Sequence, residues 1–204
     1  MKGRRRILVA STNPGKIGEL RAMLDLDVEW VGLGDFPNIK EIKEDGATFA
    51  ENARKKALGY AKATGLWTIA DDSGLVVDAL GGDPGVKSSR FSGARDKDRK
   101  VVDRKNIGKL LNLLKGIPKE KRTARFVCCL CLAGPQEVLA ETQGVLEGVI
   151  ADKPAGENGF GYDPIFFVPH LKKTVAQLTS EEKNAISHRG NAIRKLKPLL
   201  TALI

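Results

Sequence analysis

Long hydrophobic runs are absent from this sequence. No apolar stretch reaches the roughly eighteen residues that would span a bilayer, and the basic N-terminal segment is followed only by ILVA at 7–10. The pattern therefore predicts neither a signal peptide nor a membrane anchor, and a cytoplasmic protein is the expectation. The hydrophobic content of 42% is ordinary, and 204 residues suffice for the single globular domain that we predict over 1–204.

Cysteine and histidine are also scarce. Cys128, Cys129 and Cys131 stand together in ARFVCCLCLAG, with no histidine nearby and no second pair at metal-ligand spacing. This excludes a zinc site and a disulfide framework of the usual kinds. We predict that the three residues are small core side chains on a buried strand.

Few aromatic residues accompany the positive charge. Lys and Arg number 34 against 25 Asp and Glu, a net charge of +9, and aromatics make up 5% of the chain. The basic residues are spread over several predicted helices and are not interleaved with aromatics, unlike a nucleic-acid track. This distribution favours a solvated surface that steers a polyanionic small substrate, with neither nucleic acid nor membrane as partner.

Helical and strand patterns are mixed along the chain without strict alternation. The predicted strands are 4–10, 66–70, 75–80, 124–133, 137–142, 144–150 and 165–168. Helices are predicted after Asn13, over 48–65 and 98–115, after Thr179, and after Ser187. This arrangement favours a mixed α/β fold with a mixed sheet.

The segment STNPGK at 11–16 follows the first strand and begins the first helix. It is not a Walker loop, because Ala10 stands where the first glycine is needed and Ile17 where the hydroxyl is needed. What remains is a helix N-terminus whose free backbone N–H groups, with Lys16, could hold an anion. A plain helix cap with a surface lysine is the equally open alternative.

Two adjacent acids, Asp71 and Asp72, follow the strand at 66–70. Burying them without a partner would be costly, so we expect them at the mouth of that strand. If the backbone is still extended there, their side chains alternate, and only one of them can face a given cleft. That carboxylate would suit magnesium or a base for an attacking water, the alternative being an ordinary loop cap.

Two further motifs lie near the C-terminus. GFGYDP contains Phe160, Gly161, Tyr162 and Asp163, in which an aromatic between glycines could stack on a base or simply pack into the core. EEKNAISHRG brings together three donors that suit a carbonyl oxygen or a phosphate, although such groups are often surface charge: Lys183, His188 and Arg189.

The order and spacing of these motifs resemble the inosine triphosphate pyrophosphatases, which hydrolyse non-standard purine nucleoside triphosphates. The resemblance runs nearly end to end and is carried by STNPGK, EDGATFAENA, ADDSGL, GGDPGV with SSRFSG, GFGYDPIF and EEKNAISHRG. It implies an elongated mixed sheet flanked by helices, forming two lobes around an active-site cleft, and a homodimer. Lys87 departs from the pattern, since the family often has an aromatic residue there, which puts local packing and a dimer contact in question.

The resemblance also implies roles for individual residues. Asp72 would be the catalytic acceptor and, with Glu44, a ligand of Mg²⁺, while Asp71 would support it. Residues implied to contact the triphosphate are Ser11, Thr12, Asn13, Pro14, Gly15, Lys16, Lys56 and Ser73. Those implied on the nucleobase side are Phe160, Gly161, Tyr162, Asp163, Lys183, His188 and Arg189.

These groups would support hydrolysis at the α-phosphorus of ITP, dITP or XTP, with pyrophosphate leaving. Donors from His188 and Arg189 would pair with the 6-carbonyl of hypoxanthine or xanthine, and adenine would leave them without a partner. A related pyrophosphatase with another base preference is the nearest alternative. A nucleic-acid-binding module is the alternative from a different class.

Overall fold

Seven strands form one mixed sheet in the computed structural model, which describes residues 4–204. The strands are β1 Arg6–Val9, β2 Glu29–Gly32, β3 Trp67–Val77, β4 Thr123–Ala133, β5 Val138–Ile150, β6 Phe166–Val168 and β7 Lys173–Thr174, in the order β2-β1-β3-β4-β5-β6-β7. β1 is parallel to β2 and β3, whereas β6 is antiparallel to β5 and β7. The mixed α/β class and the mixed sheet are thereby confirmed.

Five α-helices within residues 4–204 begin close to the residues that the capping signals predict. They are α1 Pro14–Leu24, α2 Phe49–Thr64, α3 Arg99–Leu113, α4 Ser180–Ile186 and α5 His188–Leu203. Asn13 caps α1 through its side chain, and capping boxes begin α2 at Thr48 and α4 at Thr179. α2 ends at Gly65, whose φ of 73° is left-handed. Local side-chain chemistry therefore fixes these boundaries.

Two pairs of predicted strands are each one long strand, so those predictions were wrong. β3 runs from Trp67 to Val77 through the two acids, and β5 runs from Val138 to Ile150 through Gly144. Gly144 is not a turn: an added Cβ would lie 2.0 Å from the carbonyl oxygen of His188, so the glycine allows α5 to approach β5 closely. The short strands β2 and β7 were not predicted.

The chain divides into two compact units, each built from segments that are not contiguous in sequence. The first unit comprises Met1–Asp72, Cys128–Gly144 and His188–Ile204, and the second comprises Ser73–Val127 and Val145–Ser187. The single domain over 1–204 stays a prediction.

Each unit has a hydrophobic core of its own. In the first unit, α1 and α5 pack against β1, β3 and β4 through residues such as Ile7, Leu20, Leu130, Ile193 and Leu196. The core of the second unit centres on Leu75, Leu110, Phe126, Phe166 and Val168, with the rings of Phe126 and Phe166 stacked at 4.3 Å.

The cysteines lie on β4 as predicted. Cys128, Cys129 and Cys131 are buried and free. Burial raises the pKa of Cys128 and Cys131 to about 12 and that of Cys129 to about 11. Within residues 4–204, no helix is both long enough and apolar enough to cross a membrane.

Candidate active site

Two adjacent carboxylates lie in the interior of β3. Asp71 and Asp72 are 5% and 7% exposed, so the expectation that they stand at the mouth of a strand was wrong. Strand geometry directs neighbouring side chains to opposite faces, and the two acids accordingly have different partners. Buried acids are stable inside a strand because each is matched by polar groups of other elements.

Asp71 is held by cations. Its Oδ2 lies 2.8 Å from Nζ of Lys16 and 3.4 Å from a guanidinium nitrogen of Arg189. Arg189 is itself 2% exposed and pairs with Glu19 on α1 at 2.6 Å. Burial alone would raise the pKa of Asp71, but Lys16 and Arg189 outweigh it and hold that pKa well below its usual value. These two cations therefore favour the ionised form of Asp71.

The surroundings of Lys16, Asp71 and Arg189 leave little space. The three side chains, with Ser11 and neighbouring apolar residues, enclose a cavity of about 10 Å³. A cavity of this size is at the lower limit for one water molecule. The ammonium of Lys16 is paired with the carboxylate of Asp71 in this structure.

Asp72 belongs to a second set of contacts, made with α2. Its Oδ2 accepts a hydrogen bond from the amide of Asn52 at 2.9 Å, and Oδ1 of Asn52 accepts one from the backbone N–H of Gly46 at 2.8 Å. Asn52 thereby joins β3 to the segment that carries Glu44. Lys56, one helical turn after Asn52, pairs with Glu44 at 3.1 Å and donates to the backbone carbonyl of Asp71.

The electrostatics of Asp72 differ from those of its neighbour. Burial raises the pKa of Asp72, the negative charge of Glu44 raises it further, and the hydrogen bond from Asn52 and the charge of Lys56 only partly oppose this. Burial also acts on Lys56 by lowering its pKa, but Asp71 and Glu44 more than compensate, so that pKa is raised. Glu44, Lys56 and Asp72 thus form a charged group of two carboxylates and one ammonium.

The first loop is a capped helix start. Oδ1 of Asn13 accepts from the N–H groups of Gly15 at 2.9 Å and Lys16 at 3.3 Å, and the hydroxyl of Ser11 accepts from N–H of Asn13 at 3.1 Å. Contrary to the expectation of free N–H groups, these donors are satisfied by the loop's own side chains. Thr12 is exposed, and Pro14 is the first residue of α1, as predicted.

In the second unit, the loop at 159–163 is tightly held. Oδ2 of Asp163 accepts from N–H of Phe160 at 2.9 Å and lies 3.0 Å from Nζ of Lys183. That ammonium also lies 4.6 Å from the centroid of the half-buried Phe160 ring. Asp163 and Lys183 together fix the position of this ring.

Tyr162 has a structural environment. It is 5% exposed, and its hydroxyl donates to the backbone carbonyl of Ser88 at 2.9 Å. Burial, followed by the charge of Asp103, raises the pKa of Tyr162 above its usual value. The sequence left two roles open for this loop, an aromatic side chain stacked on a base or packed into the core. Tyr162 packs into the core.

The predicted site residues fall in both units. The first unit contains Ser11, Thr12, Asn13, Pro14, Gly15, Lys16, Glu44, Lys56, Asp71, Asp72, His188 and Arg189. The second contains Ser73, Phe160, Gly161, Tyr162, Asp163 and Lys183. The three donors that the sequence grouped, Lys183, His188 and Arg189, are thus divided between the units. His188 is 7% exposed at the start of α5, and Ser73 is half-buried on β3.

Sequence reasoning missed three polar residues of these clusters. They are Glu19, Asn52 and Asp103, which contact Arg189, Asp72 and Gly161 respectively. For Asn52 a signal existed, since it stands four residues before Lys56 and both lie on the buried face of α2. Asp103 had the same kind of signal, since it stands four residues before Ile107 and both lie on the buried face of α3. Glu19 carried no comparable signal.

The chain is similar to known proteins over almost its whole length. The sequence profile of the Ham1 family matches residues 7–199. A dITP/XTP pyrophosphatase of Bacillus subtilis is 50% identical over 198 residues, which cover 96% of each chain. One of Desulforamulus reducens is 48% identical, covering 97% of this chain and 96% of the relative.

Solved structures agree equally well. The Ham1 protein of Staphylococcus aureus superimposes with a TM-score of 0.86 at 43% identity, covering 98% of this chain and all of the other. A HAM1 protein from Coxiella burnetii gives a TM-score of 0.87 at 42% identity, over 97% of this chain and 99% of the other. Profile, sequence and fold therefore lead to one conclusion, that the chain belongs to the Ham1 family.

Proposed function

We propose that this chain hydrolyses the non-standard purine nucleoside triphosphates ITP, dITP and XTP to the nucleoside monophosphate and pyrophosphate. The observation that carries the proposal is the near full-length identity, between 48% and 50%, to proteins named dITP/XTP pyrophosphatase. The buried carboxylates and lysines of the first unit supply chemistry that suits this reaction.

The proposal includes Mg²⁺ held by Glu44 and Asp72. Carboxylate oxygens are the ligands that this ion prefers, and it is usually bound by one or two of them together with substrate phosphates and water. Burial is the main cause of the raised pKa of Asp72, and the nearby negative charge of Glu44 adds to it, so a cation held by the two carboxylates would offset their charges.

When bound, the ion would neutralise phosphate charge as a Lewis acid. Asp72 would accept the proton of the attacking water, whose oxygen bonds to the α-phosphorus as the bond from that phosphorus to the bridging oxygen breaks. Pyrophosphate leaves with the electron pair.

Cations of the first unit would hold the triphosphate. Lys56 already lies between Glu44 and the Asp71 carbonyl, and Lys16 would exchange its contact with Asp71 for a phosphate oxygen. The segment before Lys16 consists of three residues that precede α1 and the first two residues of that helix: Ser11, Thr12, Asn13, Pro14 and Gly15. Ser73 follows Asp72 on β3. Their contact with substrate remains a proposal based on the family resemblance.

For the base we propose Phe160 as the stacking surface, with its ring oriented by Asp163 and Lys183. Gly161 and Tyr162 would shape this loop. His188 and Arg189 remain proposed donors to the purine 6-carbonyl.

Product identification tests the function. Incubating the chain with ITP and Mg²⁺ should release IMP and pyrophosphate, and EDTA should abolish the release. Formation of IDP and orthophosphate would contradict the proposal. A panel that adds XTP, GTP, ATP and modified pyrimidine triphosphates would expose a different base preference.

The homodimer and the cytoplasmic location are part of the same proposal. A dimer would have about twice the chain mass of 22.1 kDa. Light scattering coupled to size-exclusion chromatography measures this directly, and a monomeric mass would contradict it.

A further inference from the structure

Asp103 is a buried acid on α3, outside every motif that carries the family resemblance. It is 8% exposed, and its Oδ2 accepts a hydrogen bond from the backbone N–H of Gly161 at 2.9 Å. Both residues belong to the second unit. A side chain of α3 therefore accepts a hydrogen bond from the loop that carries Phe160.

The hydrogen bonds hold two consecutive amides of this loop. N–H of Phe160 donates to Asp163, and N–H of Gly161 donates to Asp103, each at 2.9 Å. Gly161 has a φ of 63°, a left-handed conformation that glycine adopts without steric cost. Because glycine adopts many conformations equally well, the hydrogen bond to Asp103 favours this one.

The negative charge of Asp103 is balanced within its own helix. Nε of Arg99 lies 3.1 Å from Oδ1, an ion pair across one helical turn, and this Oδ1 accepts no hydrogen bond from residues 4–204. Arg99 itself is largely exposed. Within that range, the bond to Gly161 is therefore the one hydrogen bond that the structure gives to the Asp103 side chain.

Another α3 residue holds a neighbouring loop in the same way. Asn106 donates to the carbonyls of Ser88 and Ser89 and accepts from N–H of Ser92. The hydroxyl of Tyr162 reaches the same carbonyl of Ser88. Side chains of α3 thus form hydrogen bonds to the backbone of two separate segments of the second unit, 88–92 and the loop at 159–163.

We propose that Asp103 is a positioning residue, which fixes the peptide between Phe160 and Gly161 and thereby orients the Phe160 ring toward the purine base. This inference rests on the proposed function, since it assigns Phe160 to the base. Asp103 touches no part of the substrate; it acts through the loop.

The test compares three variants by steady-state kinetics. Asp103→Ala removes the acceptor, Asp103→Asn keeps an acceptor without charge, and Arg99→Ala removes only the ion pair. For Asp103→Ala we expect KM for ITP to rise about tenfold to a hundredfold, the factor that corresponds to a lost hydrogen bond to a charged group. The value of kcat should change much less, because stacking contributes equally to ground and transition states.

An inhibitor that lacks a nucleobase distinguishes a loss of Phe160 positioning from general damage to the site. Inorganic tripolyphosphate, used as a competitive inhibitor, should keep its inhibition constant within about twofold in all three variants. Asp103→Asn should recover most of the wild-type KM, and Arg99→Ala should resemble the wild type. An equal loss of affinity for ITP and tripolyphosphate, or an unchanged KM in Asp103→Ala, would overturn the inference.

Hydrogen exchange gives a readout that does not need turnover. Peptides that cover 158–163 should exchange faster in Asp103→Ala than in Arg99→Ala or the wild type. Unchanged exchange would overturn the positioning role even if KM rose. Failure of the wild-type chain to hydrolyse ITP would instead contradict the proposed function, while faster exchange would still support the attachment of Gly161 to Asp103.

Discussion

At Asp71 and Asp72, two adjacent carboxylates on one strand differ in what surrounds them. Asp71 has two cations at hydrogen-bond or ion-pair distance, whereas Asp72 has a neutral amide at 2.9 Å and a second carboxylate nearby. The pKa is consequently lowered at the first and raised at the second. The two neighbouring acids therefore differ in their electrostatic environment although they share one strand.

Replacing Asp72 tests its proposed role as the catalytic base. We expect Asp72→Asn to fold normally, because asparagine can still accept the hydrogen bond from Asn52. Pyrophosphate release should fall by about a hundredfold or more, since a general base is lost. Circular dichroism and a pyrophosphate assay measure the two quantities. The matched control is Glu120→Gln at an exposed carboxylate, and near-normal activity of Asp72→Asn would remove Asp72 from the mechanism.

The three thiols should be inert in the folded protein. Their pKa values of about 11 to 12 leave almost no thiolate at pH 8, and β4 buries all three. A colorimetric thiol reagent should therefore titrate none of the cysteines in buffer and all three in guanidinium chloride. Rapid reaction of one thiol in the native protein would show that β4 opens to solvent.

Helix boundaries followed from the sequence, whereas strand lengths did not. The capping groups of α1, α2 and α4 act within three residues, so the local pattern contains the relevant contacts. The continuity of β3 depends on Lys16 and Arg189, which are far from Asp71 in sequence. The sequence DDSG at 71–74 therefore suggested a loop, although these residues lie inside β3.

The candidate site could likewise be predicted only where local sequence contains the relevant contacts. The residues of the recognised motifs could be named in advance, but the links from Asn52 to Asp72 and from Asp103 to Gly161 join elements distant in the chain. These links depend on tertiary packing, which single-residue propensity does not report. Asn52 and Asp103 had a helical periodicity that could have revealed them, since each lies on the buried face of its helix.

Two glycines in different elements test the packing of α5 on β5. An alanine Cβ at Gly144 would meet the backbone of His188 at 2.0 Å and of Ala192 at 2.5 Å. We expect Gly144→Ala to lower the free energy of unfolding by about 1–3 kcal/mol or more.

The control is Gly108→Ala, on the exposed side of α3 with nothing within 4 Å of the added atom. It should raise the free energy of unfolding by about 0.5–1 kcal/mol, because alanine favours the helix. Urea denaturation measures both changes. Equal effects of the two substitutions would contradict the close packing at Gly144.

At the scale of the whole molecule, the net charge of +9 is opposite to that of a nucleoside triphosphate. Long-range attraction should therefore assist substrate capture without acting as a specific contact. The buried acids Asp71 and Asp72 and the partly exposed Glu44 interrupt the positive character locally. A nucleic-acid backbone would be repelled there unless a metal intervened.

Salt dependence measures this contribution. We expect kcat/KM for ITP to fall severalfold as ionic strength rises from about 0.02 M to 0.3 M, because screening shortens the reach of the surface charge. Single-stranded oligonucleotides should neither inhibit ITP hydrolysis nor shift in fluorescence anisotropy at physiological salt. Tight, strongly salt-dependent oligonucleotide binding would favour the nucleic-acid alternative instead.

The composition of the first unit also has a consequence for biosynthesis. Its three chain segments include the helix His188–Leu203, which supplies Arg189 to Asp71 and lies directly on Gly144. A ribosome makes that helix after the other two segments, so this unit cannot complete its buried ion pairs during most of translation. The segments of the second unit end at Ser187, so all of them are synthesised before that helix.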